Sequence, residues 1–259
     1  MKWRYFVLFA ALLAVLIAVF LLPAIPQSEA YHNFADQRTL MGVPNCLNVI
    51  SNVFFLVVGL LGIRFVMGKS REGRAPFLDP AERWPYLVFF ISVAATAFGS
   101  SWYHLNPNDR TLLWDRLPMA AGFMSLVAAI VAERIRVKAG LWLLAPLVLA
   151  GAGSVIYWEI TQANGHGDLR MYALAQFGSL LVLLLLIALF PPRYTHTADF
   201  ILALAFYAAA KLLEAADRPI FSWGGVVSGH TLKHVAAAVS TYCILRMLQL
   251  RSPVSEIRL

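Results

Sequence analysis

Long apolar runs recur along this chain, and short polar stretches separate them. About 20 consecutive apolar residues are enough for one helical crossing of a bilayer. In hydrocarbon only helices or closed barrels satisfy their own backbone, and these runs are too long and continuous for barrel strands. Eight can be counted in the 259 residues, at roughly 4–25, 46–67, 84–105, 112–133, 139–160, 170–191, 198–215 and 227–248. Charged residues make up only 14%, against about 25% in soluble domains. No linker is long enough to be a soluble domain. The expectation is an all-α integral membrane protein, with no internal repeat or low-complexity tract.

The formal charge of +7 raises the question of nucleic acid, but the cations sort by side. With the N-terminus taken as cytoplasmic, fourteen fall on the inner side, among them Lys2, Arg4, Lys69, Arg71, Arg74, Arg134, Arg251 and Arg258. Five, Arg38, Arg110, Arg116, Arg170 and Arg218, fall outside, and Lys211 and Lys233 lie within helices. That is the positive-inside bias, so the charge encodes orientation and no nucleic-acid partner is expected. Eight spans put both termini inside, and residues 251–259 read as a cytoplasmic tail. The first run, within residues 1–30, resembles a signal peptide in having Lys2 and Arg4 before an apolar core. It exceeds the usual 7–15 residues of such a core, and a retained helix is expected. Cys46 and Cys243 are placed too far apart in depth for a disulfide.

Ionisable groups inside membrane helices are expensive and mark functional sites by default. Here they gather toward the non-cytoplasmic side. Ser100 and His104 end the third run, Asp115 opens the fourth, and Glu159 closes the fifth. Lys211, Glu214 and Asp217 end the seventh, and His230, Lys233 and His234 start the eighth. The opposite halves read as almost featureless Leu, Val, Ala and Ile. His230 and His234, at i and i+4, share a helix face and suit two ligands of one metal; interhelical hydrogen bonding is the competing reading. His104 at matching depth adds a third ligand, as in catalytic zinc sites with one open position. His32, His166 and His196 are expected to be solvated in loops.

Ser100 shares a face with His104. It either bonds back to its own helix or donates to a substrate oxygen. Asn106 and Pro107 favour a turn that returns Asp115 to the depth of His104, where it acts as a general base or orients a histidine. Glu159, Arg170, Lys211, Glu214 and Asp217 are expected to form a structural ion-pair network. Trp102, Tyr103, Trp114, Trp158 and Trp223 read as an aromatic belt.

Two stretches, Gly99-Ser100-Ser101-Trp102-Tyr103-His104 and Leu113-Trp114-Asp115-Arg116-Leu117-Pro118-Met119, resemble the G-S-x-x-F-H and D-E-L-P-M signature of alkaline ceramidases. That family sits in a membrane-hydrolase superfamily with the progestin and adiponectin receptor proteins. Ser51-Asn52 and Ser228-Gly229-His230-Thr231-Leu232-Lys233-His234 complete the pattern, which covers residues 31–250. The resemblance implies a seven-transmembrane-helix core preceded by one additional N-terminal transmembrane helix. It also implies zinc held by His104, His230 and His234, flanked by the catalytic Ser100 and Asp115 and by a supporting polar group that includes Ser51. The implied activity is that of a zinc-dependent amidohydrolase cleaving the N-acyl bond of ceramide, a membrane lipid, to a fatty acid and a sphingoid base. No obligate protein partner is implied.

Two departures stand out. The family's acidic calcium site before the first core helix is reduced here to Asp36 and Asn45. Calcium takes six to eight oxygens, which leaves calcium doubtful. Arg116 replaces the acidic residue after the aspartate. Readings from other classes are a receptor with a structural zinc site, a haem-binding electron carrier, an ion transporter built on Glu159, Lys211 and Glu214, and a hydrolase of another lipid amide or ester.

Overall fold

A computed structural model describes residues 2–68 and 76–254; Lys69, Arg71, Arg74, Arg258 and the tail beyond Val254 lie outside them. The described chain is helical, with α1 (Lys2–Leu21), α2 (Cys46–Ile50), α3 (Val53–Met67), α4 (Arg83–Leu105), α5 (Asp109–Arg134), α6 (Val137–Ala163), α7 (Arg170–Ala173), α8 (Ser179–Leu189), α9 (Thr197–Ala215), α10 (Asp217–Ser222) and α11 (Gly229–Leu250). A π-helical turn, Leu174–Gly178, joins α7 to α8.

Among the described residues six helices are long and apolar enough to cross a membrane: Lys2–Leu21, Cys46–Met67, Pro80–Leu105, Asp109–Arg134, Val137–Ala163 and Arg170–Leu189. The other two expected spans are helices of 19 and 22 residues, α9 and α11. Their apolar character is diluted by Asp199, Lys211 and Glu214 in one, and by His230, Lys233, His234 and Arg246 in the other. The first helix stops at Leu21, earlier than expected, because Pro23 and Pro26 cannot continue it.

Local chemistry sets the ends that matter. Asn108 and Thr111 form a capping box at the start of α5, with Thr111 N–H donating to Asn108 Oδ1 at 3.0 Å. Ser228 caps α11 by accepting from Thr231 N–H at 3.1 Å. The α4–α5 hairpin turns through Asn106 and Pro107, as expected. In packing order α3, α4, α5 and α6 form one face, and α9 lies along α11, which also touches α3. The first helix lies at the periphery against α8.

The halves expected to be featureless hold a second buried polar group. Arg251, read as the start of a free tail, is buried and pairs with Glu133. Its guanidinium lies over the rings of Tyr194 (3.9 Å), Phe77 (5.0 Å) and Tyr86 (5.5 Å). Nearby, Glu82 accepts from Tyr194 and pairs with Arg193 at 2.7 Å. The signal lay in Glu133 and Glu82, carboxylates at helix ends within reach of a basic C-terminal segment.

Candidate metal centre

Two close helix contacts bring the three histidines together. Gly99 lies against the Trp114 carbonyl, where a Cβ would collide. Pro118, four residues on, has no N–H to donate to that carbonyl. Gly229 likewise lets α11 approach the Leu213 carbonyl near the end of α9 and Asp217 at the start of α10. Asp217 then accepts from His230 N–H at 2.7 Å and from Ala35 N–H at 2.8 Å.

His104, His230 and His234 are all buried, and one ring nitrogen from each lies within 4.8 Å of the others. His104 Nε2 and His234 Nε2 are 3.3 Å apart. Two nitrogens on one tetrahedral zinc, at about 2.0–2.1 Å from it, lie about 3.3–3.4 Å apart. A hydrogen bond between these two imidazoles would leave His230 Nε2, which has no partner, unsatisfied. One cation could serve all three.

The protonation of His234 follows from its neighbours. Ser51 Oγ donates its single proton to the Asn48 carbonyl at 3.0 Å and lies 2.7 Å from His234 Nδ1. With that proton on the carbonyl, Ser51 accepts from Nδ1–H, the tautomer that leaves the Nε2 lone pair free for a metal. Asn48 is held in turn by Thr231 Oγ1, which donates to its Oδ1 at 2.7 Å.

Segment 28–45 covers this end of the molecule. Phe34 is buried, its ring 4.7 Å from His104 and 4.6 Å from His230, centroid to centroid. His32, expected to be solvated, instead bonds Tyr103 Oη at 3.0 Å and Asp109 Oδ1 at 3.1 Å. His166 and His196 are exposed, and His196 pairs with Asp199. Tyr31 donates to Glu214 at 3.2 Å, and burial followed by that carboxylate pushes its phenol pKa up. The two residues weighed for calcium have other partners. Asp36 turns both oxygens to Arg38, whose hydrogen bond holds its pKa down. Asn45, in the left-handed conformation, donates to the His104 carbonyl at 2.9 Å.

The expected five-residue ion network divides. Glu214 binds Lys211 and, at 3.0 Å, Lys233. Asp217 serves backbone N–H groups. Arg170 pairs at 2.8 Å with Asp168, a buried residue that sequence reasoning passed over, and donates to the Leu22 carbonyl at 2.6 Å. Glu159, half-buried on α6, joins none of these. Asp36-x-Arg38 and Asp168-x-Arg170 repeat one device. In each, the aspartate accepts both the N–H and the guanidinium of the arginine two residues on, an Asx-turn pattern readable from spacing.

A cavity of about 300 Å³ reaches the site. Ser100, Asp115, Lys233 and His234 border one end, and Phe89, Val93, Leu126, Leu183, Phe200 and Ile244 line the rest. Trp158, expected in the boundary belt, is fully buried, whereas Trp102, Trp114 and Trp223 are exposed. No protein-family model and no curated protein matches the chain.

Proposed function

We propose that this chain is a multi-pass membrane lipid amidohydrolase in which His104, His230 and His234 hold zinc, acting on ceramide or a related N-acyl lipid. The observation that carries the reading is a convergence. Three buried imidazoles cluster within reach of one metal ion, and one of them, His234, borders the same end of the cavity as the Asp115 carboxylate and the Ser100 hydroxyl. Ion storage or signalling needs no carboxylate and hydroxyl beside a cleft lined largely by apolar side chains. In this reading eight helices cross the bilayer, both termini are cytoplasmic and the site opens on the opposite side.

Zinc held by His104, His230 and His234 would supply Lewis acidity and would make a water acidic enough to attack near neutral pH. Asp115 takes the proton of the attacking water and returns it to the departing amine nitrogen. The Ser100 hydroxyl donates to the amide oxygen as negative charge develops there. Leu126, Leu183 and Ile244 hold the acyl chain, and Phe34 shields the histidines from bulk water.

Asp115→Asn tests this most selectively, since it keeps the shape and removes the base. Amide hydrolysis should fall by about a hundredfold or more, while bound zinc and the melting temperature stay at wild-type levels. Hydrolysis by the variant at the wild-type rate would remove Asp115 from the mechanism.

A further inference from the structure

Arg116 departs from the family pattern, and it occupies an unusual position. It is buried, 6% exposed, and borders the same cavity as its neighbour Asp115. Its guanidinium sits among three rings, 4.2 Å from Trp158, 4.8 Å from Tyr172 and 5.6 Å from Tyr31. Nη2 donates to Gln27 Oε1 at 2.5 Å, and Nη1 has no hydrogen-bond partner. Arg251, also buried, is neutralised by Glu133. Arg116 makes no ion pair among the described residues. Aromatic faces stabilise such a cation only in part, and a buried donor left unbonded carries a penalty. Lys211 and Lys233 border the cavity as well, sharing the single carboxylate of Glu214. Among the described residues the cavity wall thus carries three cations against two carboxylates.

We propose that Arg116 reads an anionic headgroup: the lipid that this site takes carries a carboxylate or phosphate close to its amide. This rests on the amidohydrolase reading and narrows its substrate from ceramide, which is neutral, to a related N-acyl lipid with an acidic head. The anion completes the bonding of a guanidinium already oriented by Gln27 and its aromatic cage, and Lys211 and Lys233 add a favourable field. The acyl chain extends along the apolar wall, which leaves the amide between the anion and Asp115.

Three amides that differ only at the head test this on the full-length protein in detergent. They are N-palmitoylethanolamine, which is neutral, its phosphate ester, and N-palmitoylglycine, which bears a carboxylate. At least one anionic amide should show kcat/KM about tenfold or more above the neutral one, and the two anionic arms tell carboxylate from phosphate. Arg116→Gln should abolish that preference and Arg116→Lys should retain part of it. Gln27→Glu leaves the arginine and its cage in place and supplies an internal carboxylate. It should weaken the preference too, and it carries the test if Arg116→Gln fails to fold; a purely structural arginine would be indifferent to it or stabilised. Equal turnover of neutral and anionic amides by the wild type would overturn the proposal, as would a preference that survives both Arg116→Gln and Gln27→Glu. Binding of palmitate against hexadecanol, read with the same variants, separates the two claims. If no amide is cleaved the hydrolase reading falls, while loss of palmitate preference in the variants would still assign the anion to Arg116.

Discussion

Ser51, from another part of the chain, lies 2.7 Å from His234 Nδ1 and so holds that imidazole from behind. Residues behind metal ligands commonly contribute about 10–100-fold to affinity. Ser51→Ala should therefore weaken zinc binding by about that factor, measured by competition with a calibrated chelator, while the helix content stays unchanged. Asp168 gives a pH-dependent outcome away from the site. Its hydrogen bonds to Arg170 hold its pKa at about 2, against 3.8 for a free aspartate. The depressed value stabilises the fold fully above pH 3.8, and that contribution is lost as pH falls through the window down to about 2. The melting-temperature gap between wild type and Asp168→Asn should be constant above pH 5 and shrink as pH drops toward 2. At this scale the histidines, Ser100 and Asp115 were legible because polar residues are conspicuous in apolar helices. Asp168, Phe34 and His32 were not: their roles depend on how a loop folds back, which no helical period encodes.

Helix placement depends on a few close approaches. A Cβ at Gly99 would meet the Trp114 carbonyl, which is backbone and cannot move aside like a flexible side chain. Gly99→Ala must push α4 from α5 and so displace His104 and Ser100 from Asp115. Overpacking of this kind costs about 1–3 kcal/mol, so the variant should melt several degrees lower and lose most of its turnover. Retention of full activity would mean that the hairpin can separate without harm to the site. The same elements show what pattern reading reaches. The α4–α5 hairpin was legible from the Asn106-Pro107 turn between two apolar runs. The end of α1 at Leu21 was misplaced because hydropathy continues past the prolines that stop the helix. The π-helical turn Leu174–Gly178 in the sixth run leaves no mark in apolar periodicity.

Across the whole molecule, polar groups divide between two ends. One holds the histidines, Asp115 and the Glu214 cluster; the other holds Glu82, Glu133 and Arg251. The first was expected and the second was not, because Arg251 lies just past the last apolar run and reads as tail until its partner Glu133 is seen. The cavity joins the histidine end to the apolar middle. Purified protein should contain one zinc ion per chain, as measured by elemental analysis. Removing it with a chelator should stop hydrolysis of N-palmitoyl amides, and adding zinc back should restore it. His230→Ala should neither hold the metal nor regain activity. Full hydrolysis by metal-free protein, or wild-type zinc content in His230→Ala, would rule out a zinc centre on these three histidines.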